Sequence, residues 1–135
     1  MKNFLKYSLF ISIFFILSCG LTKSISDKST EKISGKWIVS EFSINSSLLS
    51  QNIKQSNDLI FPILKGSVFN FENNKVYTLN LNKSEISGTW EISKDGNNLI
   101  TKSINTNTYS ISFIDSKTIN LSNEENKFTL KLKKI

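Results

Sequence analysis

The chain has no histidine and no arginine, and its 17 basic residues are all lysines. Without histidine it has no side chain that ordinarily shuttles protons near neutral pH, and no imidazole for a metal. Without arginine it lacks the planar fork that reads phosphates and base edges two bonds at a time. Scattered lysines do not replace that fork, so nucleic acid is not an expected partner. One cysteine, Cys19, excludes an internal disulfide, although an oxidising compartment would allow one. No Gly-rich phosphate loop is present. The carboxylates are single and dispersed, apart from Glu124-Glu125 in an evident turn. Neighbours on a strand point to opposite faces, so that pair suggests neither a catalytic dyad nor a metal site. No enzyme, cofactor or metal is therefore expected.

Long apolar runs are also scarce. The one continuous run is "YSLFISIFFIL" at 7–17, preceded by Lys2 and Lys6. It is far shorter than the roughly 20 residues that a spanning helix needs, and reads as a secretory signal. The run ends in "ILSCG", which resembles the lipobox of bacterial lipoproteins, with small Ser18 directly before Cys19. The resemblance implies cleavage before Cys19, diacylglycerol on its sulfur and acylation of the new N-terminus. Residues 1–18 are then a signal peptide. Removing Lys2 and Lys6 leaves 15 lysines against 11 acidic residues, a side-chain charge of +4. Each lysine contributes about 1 kcal/mol near an anionic surface, and each buried methylene of an acyl chain roughly 0.8 kcal/mol, so lipid dominates the anchoring.

What is present after residue 18 is a polar lead and a series of strands. "LTKSISDKSTEKIS" (21–34) has no clear period, so 19–34 reads as lipidated cysteine plus flexible tether, with a reach of roughly 20 Å. The folded domain is expected over 35–135, a length that suits one domain. Alternation with a period of two then dominates. "KGSVFNFENNKVYTLNLN" places Phe69 and Phe71, then Tyr77, Leu79 and Leu81, on one face either side of an Asn-Asn turn. "EISGTWEIS" alternates Ile86, Gly88, Trp90 and Ile92. Tyr109, Ile111 and Phe113 follow, then Ile119 and Leu121, then Phe128, Leu130 and Leu132. With the strand through Trp37 this makes eight. Loops of two to five residues from the second strand onward force an antiparallel meander. Eight strands with one apolar face bury it by closing on themselves. The expected fold is an all-β, eight-stranded, up-and-down barrel.

Two details of the first strand and its exit bear on function. Counting by twos from Trp37 places Glu41 inside, yet Phe42 and Ile44 also suit the core. A β-bulge near 40–41 is therefore expected to switch faces. The connection 45–65 is the one long one. Leu48, Leu49 and Ile53 suit one side of a short helix, and "LIFPIL" is interrupted by Pro62. It reads equally as a loop packed over the barrel or as a lid at a ligand entrance.

Gly-x-Trp opens the first strand ("GKW", 35–37) and recurs at 88–90 ("GTW"). Gly-x-Trp on the first strand of such a meander resembles the lipocalin superfamily. The ordered set "GKW", "FNFENNKVYTL", "SGTWEIS", "KDGNNLIT", "YSISFIDSKTINL" and "FTLKLKKI" resembles the short lipocalin-like lipoproteins of Bacteroidota. The resemblance covers about 33–135. It implies that Trp37 plugs the closed end of the barrel, and that Gly35 lets chain pass close by. The sequence departs from lipocalins in having no arginine to pack over the first Trp, with Lys131 or Lys133 as poor substitutes. It also lacks the common disulfide and, after the last strand, the usual helix. Trp90 is expected to face inward near the barrel's middle, with space beside Gly88.

Two functions from different classes follow. In the first, a monomeric, lipid-anchored barrel holds one small apolar ligand, lined by Trp37, Phe69, Phe71, Tyr77, Trp90, Tyr109, Ile111 and Phe113. In the second, the same side chains fill the core, and the protein acts through its outer surface as an inhibitor or an envelope-complex subunit. An eight-stranded barrel is just wide enough for either. "CGLTKS" lacks the acidic cluster linked with surface export, which implies an outer-membrane protein facing the periplasm.

Overall fold

The computed structural model describes residues 23–44 and 63–135. Helix α1 (Ile25–Ile33) leads into eight strands. They are β1 (Gly35–Ile44), β2 (Val68–Phe71), β3 (Val76–Leu81), β4 (Ser84–Ile92), β5 (Asn98–Lys102), β6 (Thr106–Asp115), β7 (Thr118–Asn123) and β8 (Phe128–Lys134). Each strand pairs antiparallel with the next, and β1 also pairs with β8, so the sheet is a closed barrel. The meander expected from period-two alternation and short loops is the observed one. Closure joins β1 to β8, the two strands that would otherwise form the sheet's edges.

The expected bulge is present. In the pairing of β1 with β8 the register shifts between Val39 and Glu41. The extra residue, Ser40, turns Glu41 outward, where it pairs with Lys131 at 3.0 Å. Phe42 is thereby returned to the core side, half buried. A second register shift, between Phe113 and Asp115, bends β6 near its end.

The two ends of the barrel differ. At one end lie the start of β1, the turns 72–75, 93–97 and 116–117, and the end of β8. Helix α1 lies across this end, which we term the closed end. At the other, open end lie the exit of β1, the turns 82–83, 103–105 and 124–127, and the return into β2.

Over 24–33 the capped helix corrects the reading of this stretch as part of a flexible tether. Ser24 accepts from the Asp27 backbone N–H, and the Asp27 carboxylate accepts from the Ser24 N–H. This reciprocal cap satisfies two donors that the first turn would otherwise leave bare. A helix of nine residues is not stable alone in water. Here the barrel supports it: Ile33 is fully buried in the core, Ser29 is buried, and Ile25 and Ser29 rest on the turn at Gly96. The reading of this stretch as a tether passed over Ser24-x-x-Asp27, and no local rule shows the barrel end that makes the helix worth forming. The expectations for Leu48, Leu49, Ile53 and Pro62, like those for residues 1–22, lie outside the described residues.

Candidate functional site

The apolar face of each strand meets inside the barrel, and the aromatic residues pack ring against ring. Phe71 is the hub. It stacks on Phe69 at 5.6 Å, meets Tyr77 at 6.2 Å and takes the edge of Trp90 at 5.4 Å. All four are buried. A second group lies further from the helix, where Phe128 contacts Phe42 at 5.6 Å and Tyr109 at 6.3 Å. Of the eight residues expected to line a cavity, Trp37, Phe69, Phe71, Tyr77, Trp90 and Tyr109 share one buried core, with Ile111 packed against it, and their rings group in two. Phe69, Phe71, Tyr77 and Trp90 form the first cluster. Tyr109 belongs to the second, and Ile111 is half buried against the core. Trp37 is buried at the base. Phe113, expected inside, is 37 % exposed, because the bulge after it carries it onto the closed-end rim.

Trp90 also departs from expectation. It lies near the closed end, not the middle, and its indole N–H donates to the Glu72 carbonyl at 2.9 Å. The space expected beside Gly88 is filled. A Cβ there would meet the Lys102 carbonyl oxygen at 2.1 Å and the Tyr77 ring at 2.9 Å. Gly88 thus serves close packing of β4 on its neighbours, not a vacancy.

Three hydroxyls enter this apolar interior, on Tyr77, Thr101 and Tyr109, and all three residues are buried. Burial pushes the Tyr109 phenol above its ordinary range, nearby Tyr77 adds to this, and a hydrogen bond with Thr101 offsets part of it. The phenol is therefore a neutral donor at any physiological pH. Such a set can hold an apolar body and one polar end.

Burial varies along the barrel. At the closed end Trp37, Phe71, Trp90, Leu99, Ile119 and Leu132 are shut off from solvent. Towards the open end the inward positions are only partly covered. Phe42, Leu79, Ile111 and Phe128 are half buried, and Ile86, opposite Leu79 in the register, is 38 % exposed.

The closed end carries a feature that sequence reasoning missed. The Trp37 indole N–H donates to the Ile33 carbonyl at 2.6 Å, and the Lys134 ammonium lies 5.1 Å from the Trp37 ring centre. The same ammonium donates to the Lys32 carbonyl at 3.2 Å. A cation there also answers the negative end of the α1 dipole. The cation over Trp37 is thus Lys134; Lys131 pairs with Glu41, and Lys133 is exposed. The Lys32 ammonium lies 5.0 Å from the Phe113 ring centre. Lys32, Lys134, Trp37, Phe113, Asp115 and Ser116 line a cleft of about 370 Å³. The Asp115 carboxyl sits below the usual carboxylate range, because the Lys117 backbone N–H and then the Thr118 hydroxyl bond its charged form. The signal available in the sequence was the lysine pair ending β8, which alternation alone does not rank.

Among the described residues, no three of His, Cys, Asp or Glu gather as metal ligands, and no helix is long and apolar enough to cross a membrane.

A solved structure shares this fold. It is the crystal structure of a DUF4847 family protein from Bacteroides vulgatus ATCC 8482, matched with a TM-score of 0.55 at 16 % identity. The match covers 77 % of this chain and 96 % of that one. At such identity the likeness concerns the fold alone. No family model matches the chain, and no curated protein does.

Proposed function

We propose that the chain is a lipid-anchored barrel protein of the cell envelope, held through Cys19, that carries one small apolar molecule in the open half of its interior. It acts without catalysis, as a monomer, on the periplasmic face of the outer membrane. The observation that supports the carrier reading is the difference between the two halves of the interior. The closed half is packed with aromatic rings. The open half presents Phe42, Leu79, Ile86, Ile111 and Phe128 incompletely covered, above the hydroxyls of Tyr109 and Thr101. Apolar surface left in that position gains roughly 25 cal/mol per Å² when a ligand covers it. A polar end of the ligand would meet the two hydroxyls, which keeps it from being buried without a partner.

A second reading rests on Gly88. The Tyr77 ring and the Lys102 carbonyl take the one place where a small residue promised room. On that reading the barrel is a filled scaffold and its outer surface binds another protein.

Mass spectrometry of small molecules held by the purified full-length protein separates the two. Leu79 faces Phe69 and Ile86 in the register, so Leu79→Trp fills the open half and leaves the closed end intact. The carrier reading expects one non-covalent apolar molecule per chain, lost in Leu79→Trp. If neither protein holds one, the carrier reading is wrong and the scaffold stands. The anchor has its own readout: intact mass should show acyl chains, and Cys19→Ala should remove them.

A further inference from the structure

The charge of the described residues is not spread evenly over the barrel. Helix α1 and its approach carry Lys23, Lys28 and Lys32 against Asp27 and Glu31. The strand ends and turns beneath the helix add Lys36, Lys75, Lys94, Lys117, Lys133 and Lys134 against Glu72, Asp95 and Asp115. That is nine lysines against five carboxylates, an excess of four. At the open end Lys65, Lys83 and Lys127 are balanced by Glu85, Glu124 and Glu125. Around the barrel's waist Glu41–Lys131 and Glu91–Lys102 form ion pairs and cancel. The whole net charge of the described residues, +4, therefore lies at the end closed by α1.

Of the five carboxylates there, Glu31 pairs with Lys23, and the other four are turned onto their own chain. Asp27 caps the helix, Asp95 accepts from the Asn97 N–H, Asp115 accepts from the Lys117 N–H, and Glu72 accepts from Asn70 and Asn74. Lys28, Lys94 and Lys117 stand exposed beside them. The same end carries exposed apolar side chains, Ile25 at 65 %, Ile135 at 67 % and the rim ring of Phe113. Lysines around exposed apolar groups are the pattern of a surface that meets a charged bilayer interface.

Chain length decides which end of the barrel such a bilayer would meet. Five Cα-to-Cα steps lead from Cys19 to the helix cap Ser24, and fully extended they span at most about 18 Å. The entry to α1 must then lie within that distance of an anchored Cys19. Electrostatic attraction to a surface decays over roughly 8–10 Å in physiological salt, so the closed end is within reach and the open end is a barrel's length away.

We infer that the closed end is a docking face for anionic lipid headgroups, and that it holds the barrel upright with its open end directed away from the membrane. The acyl chains supply affinity and the lysines supply orientation. The cleft between Lys32 and Lys134 receives a headgroup phosphate, with Phe113 at the acyl boundary. This inference rests on the proposed anchoring at Cys19. It also gives the open half of the barrel a direction for exchange, towards the aqueous compartment.

The test is amine labelling. Full-length protein is reconstituted into vesicles of phosphatidylcholine alone, or of phosphatidylcholine with phosphatidylglycerol, and exposed to a water-soluble acetylating reagent. Peptide mass spectrometry then compares Lys28, Lys94 and Lys117 with Lys83 and Lys127. Each lysine held at an anionic surface gains roughly a fivefold preference for it. Several-fold protection of the closed-end lysines is therefore expected on the anionic vesicles alone, reversed by high salt, with the open-end lysines unchanged. The variant K28E/K94E/K117E, exposed at all three positions, should keep its circular dichroism and lose the protection of Lys32 and Lys36. Equal labelling at both ends on both vesicles, in protein whose intact mass shows acyl chains, overturns the docking and leaves the anchor standing; it would assign the basic end to an acidic protein partner. Protein without acyl mass overturns the anchor and the docking together.

Discussion

The two Gly-x-Trp strands use the same four parts for different ends. On β1 and on β4 the indole is buried, its N–H donates to a backbone carbonyl, a lysine lies over its ring and a glycine sits two places before it. For Trp37 the acceptor is the Ile33 carbonyl and the cation is Lys134 at 5.1 Å. For Trp90 the acceptor is the Glu72 carbonyl and the cation is Lys75 at 4.5 Å. Trp37 thereby ties the helix to the barrel, whereas Trp90 ties the β2–β3 turn to β4. The glycines differ as well. Gly35 has φ +118°, and a Cβ on it would meet the Lys134 side chain at 3.1 Å, so it lets that lysine cross to its ring. Gly88 has ordinary backbone and admits the Lys102 carbonyl and the Tyr77 ring. A repeated local pattern thus marks two closures of one barrel end, with the partner set by what lies across from each.

The comparison breaks most visibly at the indoles. Trp37→Ala and Trp90→Ala should each cost about 3–5 kcal/mol in denaturant titrations. Only Trp37→Ala should also raise hydrogen exchange at the amides of α1. Equal exchange of α1 in the two variants would contradict the separate roles assigned to them.

Next come the glycines. Gly88→Ala has to push β4 away from the Lys102 backbone, a cost of about 3 kcal/mol. Gly35→Ala meets a movable side chain and an unfavourable φ, about 1–2 kcal/mol. The reverse order, measured by urea unfolding, would mean that β4 and β5 part easily at this point.

The lysines sharpen the comparison further. Lys134→Met removes a cation from a ring and from the last turn of α1, together about 1–2 kcal/mol. Lys75→Met removes a ring contact and a bond to the Thr30 hydroxyl at 3.2 Å, about 1 kcal/mol or less. Salt should weaken both effects. Thermal unfolding at low and high salt checks this.

The smallest effect at neutral pH is expected away from both tryptophans, at Tyr109. Tyr109→Phe should cost about 1 kcal/mol or less there, the worth of one hydrogen bond. Burial raises its phenol pKa, so the unfolded chain loses that proton first as pH climbs. The contribution is whole below pH 10.0, the ordinary phenol value, and is lost as pH rises towards the raised value in the folded state. Stability of the wild type should therefore fall more steeply than that of Tyr109→Phe above pH 10. Parallel curves would show that the phenol is not shielded.

Much of the barrel was legible because alternation in a strand is local. Phe69/Phe71, Tyr77/Leu79 and Ile119/Leu121 declare their inward face two residues at a time, and short turns leave adjacent strands little choice but to pair antiparallel. The bulge at Ser40 was legible too, since Glu41 and Phe42 could not both keep the pattern. The candidate site was read less well. Phe113 obeys the alternation and still ends on the rim, because a bulge one residue later bends its strand. Gly88 suggested room, but whether a neighbour fills it depends on strands β3 and β5, which no local rule brings in.

By itself, then, the sequence determined the strand count, the antiparallel order, the face of each strand, and the candidate lipidation motif at Cys19, since all of these reside in residue identity over a few neighbouring positions. The choice of Lys134 as the cation over Trp37, the folding of 25–33 as a helix, and the gathering of the net charge at one end were decided by tertiary structure. Each depends on bringing together groups far apart in the chain. Lys134 meets Lys32 across 102 positions, and the nine-residue helix gains enough to form only when a finished barrel end buries Ile33.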